Sequence, residues 1–377
     1  MSTNNTNAEV QNTYGQMGLS SLAVRFTLGF IFWGGFSRRA IYAVAPADGN
    51  HFKLDIDHAN FVGNKIAAAY PGSFMPDLLV SVIQNVSLMN FTMWLFSFAE
   101  LAVGLALIFG FATRFAAVGG MLLNFGMMLV FGWMGSTCLD EWTMAAFGFG
   151  ISATAYITGG GYFSIDNKLK NMSIGQWKIF PWLFSGPLPM SNDGLKKFSL
   201  WMTALTFLFV VGFYNVLYGA TYSKLKPRVG FHRQNIEISQ VKVSDDGGLS
   251  FYGYVNAGPD TQAAYIIKAE LLDEFGDVVE SWSGTKMSNM PEENIDNFFK
   301  MAWGSKFKRS RFGIQGKTGA QATVTLPADG DTEVEEGEVY TLKLSQIEGK
   351  PFEFTGKAVA KGDGFVIEGE SSKPAAH

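Results

Sequence analysis

The sequence predicts an α-helical membrane bundle, a four-helix core plus a fifth transmembrane helix, followed by an all-β sandwich of immunoglobulin-like build. Three observations predict it. From Leu78 to Phe163 the only charged residues are Glu100, Arg114, Asp140 and Glu141, too few to cover the outside of a soluble core of that length. Several stretches reach the roughly 20 mostly apolar residues that a helix needs to cross hydrocarbon. Beyond about Lys224, Lys, Asp and Glu alternate with Val, Ile and Phe, the period of half-buried strands.

The first eighteen residues, MSTNNTNAEVQNTYGQMG, are polar and carry no Lys or Arg. They lack the basic and apolar regions of a cleavable signal peptide, and residues 1–18 read as a mobile leader before an uncleaved first span. The predicted spans are Leu19–Val44, Leu88–Gly110, Ala112–Met134, Glu141–Gly160 and Phe198–Ala220, with Leu78–Val86 as a helical lead-in to the second. The short GFATR turn makes the second and third spans antiparallel neighbours. Residues 19–165 thus form a four-helix membrane domain and 166–197 a linker. Residues 198–220 form the fifth transmembrane helix, 221–370 the β domain and 371–377 a tail.

Positive charge orients the spans. Lys168, Lys170, Lys178, Lys196 and Lys197 follow the fourth span, which places that linker in the cytoplasm. The amino terminus and the Arg114 turn fall on the same side. The loop from Pro46 to Asp77, the turn with Cys138 and the β domain are then extracytoplasmic, on a multi-pass protein of the cytoplasmic membrane. Arg38 and Arg39 stand against this rule at the outer end of the first span, an exception that needs a reason.

In the β domain, NIEISQVKVS, LSFYGYVNA, AAYIIKAELLD, QATVTLP, VYTLKLSQI and FEFTGKAVA alternate with period two between Gly, Asp and Pro clusters, as strands do. Segment MPEENIDNFFKMAW reads as a helical insertion leading into the basic run Lys306–Arg311, which is either solvated surface or a site for anions or docking. The net charge of −4 averages a membrane part and a soluble part and gives no indication of nucleic acid. A single cysteine excludes an internal disulfide, a dithiol relay and a CxxC metal site. No phosphate loop, Rossmann fingerprint, zinc spacing or serine triad is visible, nor any motif for flavin, haem or an iron–sulfur cluster.

Ionisable groups inside spans are costly and face the bundle interior or water. Arg25 and Glu100 both fall in the inner half of their spans and are expected to pair, unless Glu100 has a functional role. Arg114 reads as a topological charge capping the third helix. At the outer rim, Cys138, Asp140, Glu141 and Trp142 join the third and fourth spans in GWMGSTCLDEW. Trp133 and Trp142 have a plain reading as interfacial anchors, and a lone Cys as a small buried hydrophobe. The functional reading rests on chemistry. A nearby Arg38 or Arg39 would stabilise the Cys138 thiolate, and guanidinium forks hold oxyanions well.

The blocks RFTLGFIFWGGFSRR and FSFAELAVGLALIFGFATRFAAVGGMLL resemble the DoxX/DoxD membrane family. Glu100, Gly104, Leu107, Gly110, Thr113 and Arg114 fit its ExxxGxxLxxGxxTR pattern. The GSTCLDEW turn and the long outer loop narrow the resemblance to DoxD, and the span and β domain from about residue 198 resemble DoxA. The resemblance implies a membrane oxidoreductase that converts two thiosulfates to tetrathionate and passes two electrons to a membrane quinone. On that reading Arg38, Arg39 and Trp142 bind thiosulfate, and Trp33, Phe36 and Trp94 line the quinone pocket. Cys138, Glu100, Asp140 and Glu141 are the catalytic candidates, the carboxyls as proton relays. Thiosulfate, quinone and the lipid bilayer are the implied partners, with a terminal oxidase and a homo-oligomer left open. Two alternatives stand beside it: a non-catalytic quinone-binding or scaffold subunit of a respiratory complex, and a quinone reductase acting on another sulfur species.

Overall fold

The computed structural model describes residues 2–41, 53–56, 58, 61–135, 141–219, 229–230, 232–328, 334–347 and 349–372. Its helices are α1 (Ser2–Ser20), α2 (Leu22–Ala40), α3 (Gly63–Ala69), α4 (Pro76–Gln84), α5 (Val86–Phe109), α6 (Thr113–Phe131), α7 (Glu141–Thr158), α8 (Ile165–Leu169), α9 (Phe180–Leu183), α10 (Asn192–Phe207), α11 (Phe213–Tyr218) and α12 (Gly284–Asn289). The chain divides into a helical unit and a β unit, and residues 63–86 and 133–135 group with the β unit.

Among the described residues, three helices of the helical unit are long and apolar enough to cross a membrane: α5, α6, and Asn192–Tyr218, in which a π-helical turn joins α10 to α11. A fourth arises if Asn12–Ser20 and α2, bent by 53°, form one span. The polar segment read as a leader is therefore helical, and the bend falls at Ser21, whose hydroxyl donates to Thr158 Oγ1 at 2.9 Å. Helix α7, the expected fourth span, packs its small residues on α6. A Cβ on Gly148 would meet Asn124, and one on Gly120 would meet Ser152. The fifth helix joins the bundle through aromatic contacts, with the Phe149 and Phe209 rings stacked at 4.1 Å.

One end of the bundle is tied by three buried charges that close unpaired helix ends. Arg25 donates to the carbonyls of Leu107, at 2.5 Å, and Phe163, at 2.8 Å. It does not pair with Glu100, as the sequence had led us to expect, because the last carbonyls of α5 lie level with it and offer acceptors. Arg114 is wholly buried and donates to Tyr156 O and Gly186 O at 2.8 Å each, and to Pro181 O. It thus closes the carbonyls at the end of α7 from within. Asp166, also wholly buried, accepts from Ala112 N at 2.7 Å, Thr113 N at 3.0 Å, and the hydroxyls of Thr113 and Ser185 at 2.7 Å each. It holds the α5–α6 turn, where Ala112 adopts a left-handed φ of 44°.

The β unit contains β1 (Asn235–Ser244), β2 (Leu249–Ala257), β3 (Ala263–Leu272), β4 (Val278–Ser283), β5 (Ile295–Asn297), β6 (Phe307–Ser310), β7 (Gly313–Lys317), β8 (Gln321–Leu326), β9 (Val339–Gln346), β10 (Phe352–Ala360) and β11 (Gly364–Ser371). All pair antiparallel in one sheet, ordered β5-β8-β2-β1-β11-β10-β9-β3-β7-β6, with β4 added on β3. The sheet is barrel-like because its two ends meet: Asn297 on β5 bonds through its side chain to both the N–H and the carbonyl of Phe307 on β6. A bulge at Gln240, φ 51°, interrupts the β1–β2 register, and such bulges increase local bending and twist. Alternate residues of these strands, among them Ile238, Phe251, Leu271, Val324, Leu342 and Ile367, fill one apolar core. The expected helical insertion at 290–303 is instead a short 3-10 turn and strand β5, with the helix earlier at α12. Pro291 interrupts the segment, and Asn297 is needed at the sheet edge. The basic run forms β6, and Arg309 pairs with Glu292 at 2.7 Å.

Residues 63–86 and Trp133 dock within the β unit. The Tyr70 ring stacks on Tyr254 at 5.9 Å, its hydroxyl donates to Gly319 O at 2.9 Å, and Gln321 Nε2 donates to that hydroxyl at 2.5 Å. Gly319, φ +86°, has no room for a Cβ because Ala67 O occupies that space. Lys65 pairs with Asp260 at 3.0 Å, and Trp133 Nε1 donates to Ala69 O at 2.8 Å. Burial pushes Tyr254 up to about 12 and Tyr70 well above the ordinary tyrosine range. A folded-state pKa above the unfolded value of about 10 means the folded state keeps its proton longer, so this stability is present below pH ~10 and is lost as pH rises through the folded value. Melting of the β unit followed by tryptophan fluorescence should therefore fall between about pH 10 and 12. The slope should become shallower in Tyr254→Phe; an equally steep fall in that variant would remove these tyrosines as the cause.

Candidate functional site

Helices α2 and α5 run antiparallel and touch at two glycines. A Cβ on Gly29 would lie 2.8 Å from Gly104 O, and one on Gly104 would lie 2.9 Å from Gly29 O, so only glycines permit this approach. This contact sets the register for the rest of the helix pair. Gly35 comes beside the Glu100 carboxylate, Phe36 beside Phe98, and Arg39 beside Phe96.

Arg39 and Glu100 form an ion pair, with side chains 16% and 9% exposed. Arginine side chains on a helix lean toward its N-terminus, so Arg39 reaches back over Gly35, where a Cβ would lie 3.2 Å from its guanidinium and 3.1 Å from Glu100 Oε2. The guanidinium also lies 5.6 Å from the centre of the Phe96 ring, a cation–π distance. Arg38 does the opposite: it is exposed, and its Nε donates to Gly34 O at 3.0 Å. The geometry therefore separates the two arginines, and the inward one is Arg39. Its partner supplies the reason for a positive charge at the end of this helix.

An aromatic line runs along the same helix pair. Trp33 meets Phe36 at 6.3 Å, Phe36 meets Phe98 at 6.0 Å, and Phe98 stacks on Trp94 at 5.4 Å. The three aromatics anticipated from sequence are brought together, and Phe98, not anticipated, connects them. Ser97, between Phe96 and Phe98, is wholly buried, and its hydroxyl has no hydrogen-bond partner among the described residues. Spacing could have found it, because Ser97 lies three residues before Glu100 and shares its helix face.

The remaining candidates fall elsewhere. Glu141 opens α7. Trp142 packs on the fifth helix, 5.0 Å from Tyr214 and 6.4 Å from Tyr218. The contact of Tyr218 with Gly132 O, 2.9 Å, brings the same helix to the end of α6. Cys138 and Asp140 lie outside the described residues. Among the described residues no group of three or more His, Cys, Asp or Glu gathers.

Chemically, the Arg39–Glu100 pair offers a buried proton donor and acceptor beside a positive charge, next to flat aromatic faces. That combination suits a planar redox molecule arriving from the lipid. No solved structure matches the chain. Residues 21–191 match the family described as TQO small subunit DoxD, and residues 232–354 match the family described as TQO small subunit DoxA. TQO denotes thiosulfate:quinone oxidoreductase. The two matches follow one another in one polypeptide, so the chain belongs to these families as a membrane protein that fuses a DoxD domain to a DoxA domain.

Proposed function

We propose that this protein oxidises thiosulfate to tetrathionate on the extracytoplasmic side and reduces a membrane quinone. The observation that carries the reading is the buried Arg39–Glu100 pair set against the Trp33–Phe36–Phe98–Trp94 line within the DoxD domain. In this reading the amino terminus is cytoplasmic, and both the Arg39 end of α2 and the β domain are extracytoplasmic.

Arg38, exposed at the end of α2, captures the thiosulfate dianion, with Trp142 at the neighbouring helix start. The Cys138 thiolate bonds to the outer sulfur of thiosulfate as two electrons leave for the quinone, giving Cys–S–S–SO3⁻. A second thiosulfate attacks the sulfur bound to the sulfonate, forming tetrathionate and releasing the thiolate, as in thiol–disulfide exchange. Charge balances: the first step removes two electrons from a thiolate and a dianion, and the second only exchanges sulfur partners. Quinone takes up two electrons and two protons. Glu100 hands on protons at its carboxyl oxygen, and Asp140 and Glu141 replenish them from water.

The test is quinone reduction by detergent-purified protein with a panel of sulfur anions. Thiosulfate should support turnover, while Cys138→Ala should abolish it and leave the melting temperature intact. Near-normal turnover in Cys138→Ala would end the covalent step. Absence of thiosulfate-dependent reduction by the wild type, with co-purification of a terminal oxidase, would instead mark a scaffold subunit. Turnover with sulfite or sulfide alone would change the substrate.

A further inference from the structure

Ser97 is a buried polar side chain near the aromatic line that the proposed reaction leaves unused. A serine inside a helix ordinarily returns its hydroxyl to the carbonyl four residues earlier, as Thr92 does to Leu88 O at 2.7 Å and Ser152 does to Gly148 O at 2.7 Å. Ser97 makes no such bond, although it is 0% exposed. A buried hydroxyl without a partner is costly, and the cost is removed when a ligand oxygen accepts from it. Arg39 Nε, on the facing helix, is likewise buried and without a hydrogen-bond partner among the described residues. Ser97 lies three residues before Glu100 on the buried face of α5, where such positions are neighbours, and Arg39 pairs with that carboxylate, with Phe96, Phe98 and Trp94 on the same stretch of α5. Phe98 is half exposed, at 52%, so the approach from the apolar surface is open.

We propose that Ser97 and Arg39 are the hydrogen-bond donors that hold the two carbonyl oxygens of a quinone head group, against the aromatic line and next to Glu100. This assignment rests on the quinone-reducing reading above and sharpens it. It gives Arg39, which the family resemblance had set beside Arg38 at thiosulfate, to the quinone instead. Ser97 becomes the residue that distinguishes a quinone, with an acceptor at that position, from a similar apolar ring without one.

The experiment uses full-length protein in detergent and a decyl-substituted benzoquinone as the probe. Binding is read by quenching of tryptophan fluorescence without thiosulfate present, and the carbonyl stretching bands of the bound probe are recorded in the infrared. In the wild type a carbonyl band should shift down on binding. Ser97→Ala should weaken binding about fivefold, the worth of one neutral hydrogen bond. It should also move a carbonyl band back toward its free position. The KM for quinone should rise while the KM for thiosulfate stays as in the wild type. Ser97→Cys, nearly the same size with a weaker donor, should fall between the two and guards against a packing defect in the alanine variant. Unchanged binding and unchanged bands in both variants would overturn the assignment, as would a wild type that does not bind the probe. A wild type that binds with shifted bands lost in Ser97→Ala, yet shows no thiosulfate-dependent turnover, would support the head-group site while sinking the sulfur chemistry.

Discussion

Glu100→Gln is expected to lower quinone reduction by about 100-fold or more, the usual worth of a positioned proton donor. The substitution keeps the shape of the side chain and its contact beside Gly35, but it removes the charge that faces Arg39. An unpaired buried guanidinium is itself destabilising, by about 3–5 kcal/mol when one partner of a buried pair is lost. Lower activity alone therefore does not separate a chemical role from a structural one. The double variant Arg39→Gln/Glu100→Gln does, because removing both charges together relieves the desolvation cost. It should melt closer to the wild type than Glu100→Gln does, and it should remain inactive with quinone. Recovery of turnover in the double variant would show that the pair serves only to hold α2 against α5.

Asp166→Ala is expected to have the largest effect on stability. Its carboxylate accepts from two backbone N–H groups and two hydroxyls, three of these donors in the α5–α6 turn and the fourth on Ser185, with no exposure at Asp166 or Thr113. Each buried donor left without an acceptor costs about 1–3 kcal/mol, so four of them give a total of about 4–12 kcal/mol, reduced for each one that water reaches. The measurement is thermal melting in detergent, followed by the helical signal. Asp166→Asn, which keeps one carbonyl acceptor, should lie between the alanine variant and the wild type. An alanine variant that melts within a degree or two of the wild type would mean that the turn has other acceptors. Because the Arg39–Glu100 pair lies at the far end of α2 from Arg25, the folded fraction of Asp166→Asn should bind quinone normally.

The elements were largely legible from sequence because they follow from local patterns. The apolar runs forecast α5, α6 and the fifth helix, and period-two alternation forecast β1, β2, β3, β8, β9 and β10. The misplaced helix at 290–303 shows the limit: its composition suits a helix, yet β5 is recruited to complete the sheet through Asn297. The docking of Tyr70 and Trp133 also lay beyond reach, since it joins residues 249 positions apart at Gly319.

For the site, sequence alone determined the inventory: one buried carboxylate, a pair of arginines where charge bias disfavours them, aromatics nearby, and the DoxD and DoxA patterns. Helical periodicity states which residues share a face of one helix, but it is silent on the register between two helices. Tertiary structure decided that register through the Gly29–Gly104 contact, and with it the partner of Glu100. Arg25, the expected partner, is drawn to the free carbonyls at the end of α5. Arg39 leans back along its own helix to the carboxylate instead. Composition marked the charges as costly, and only packing showed how each one is neutralised.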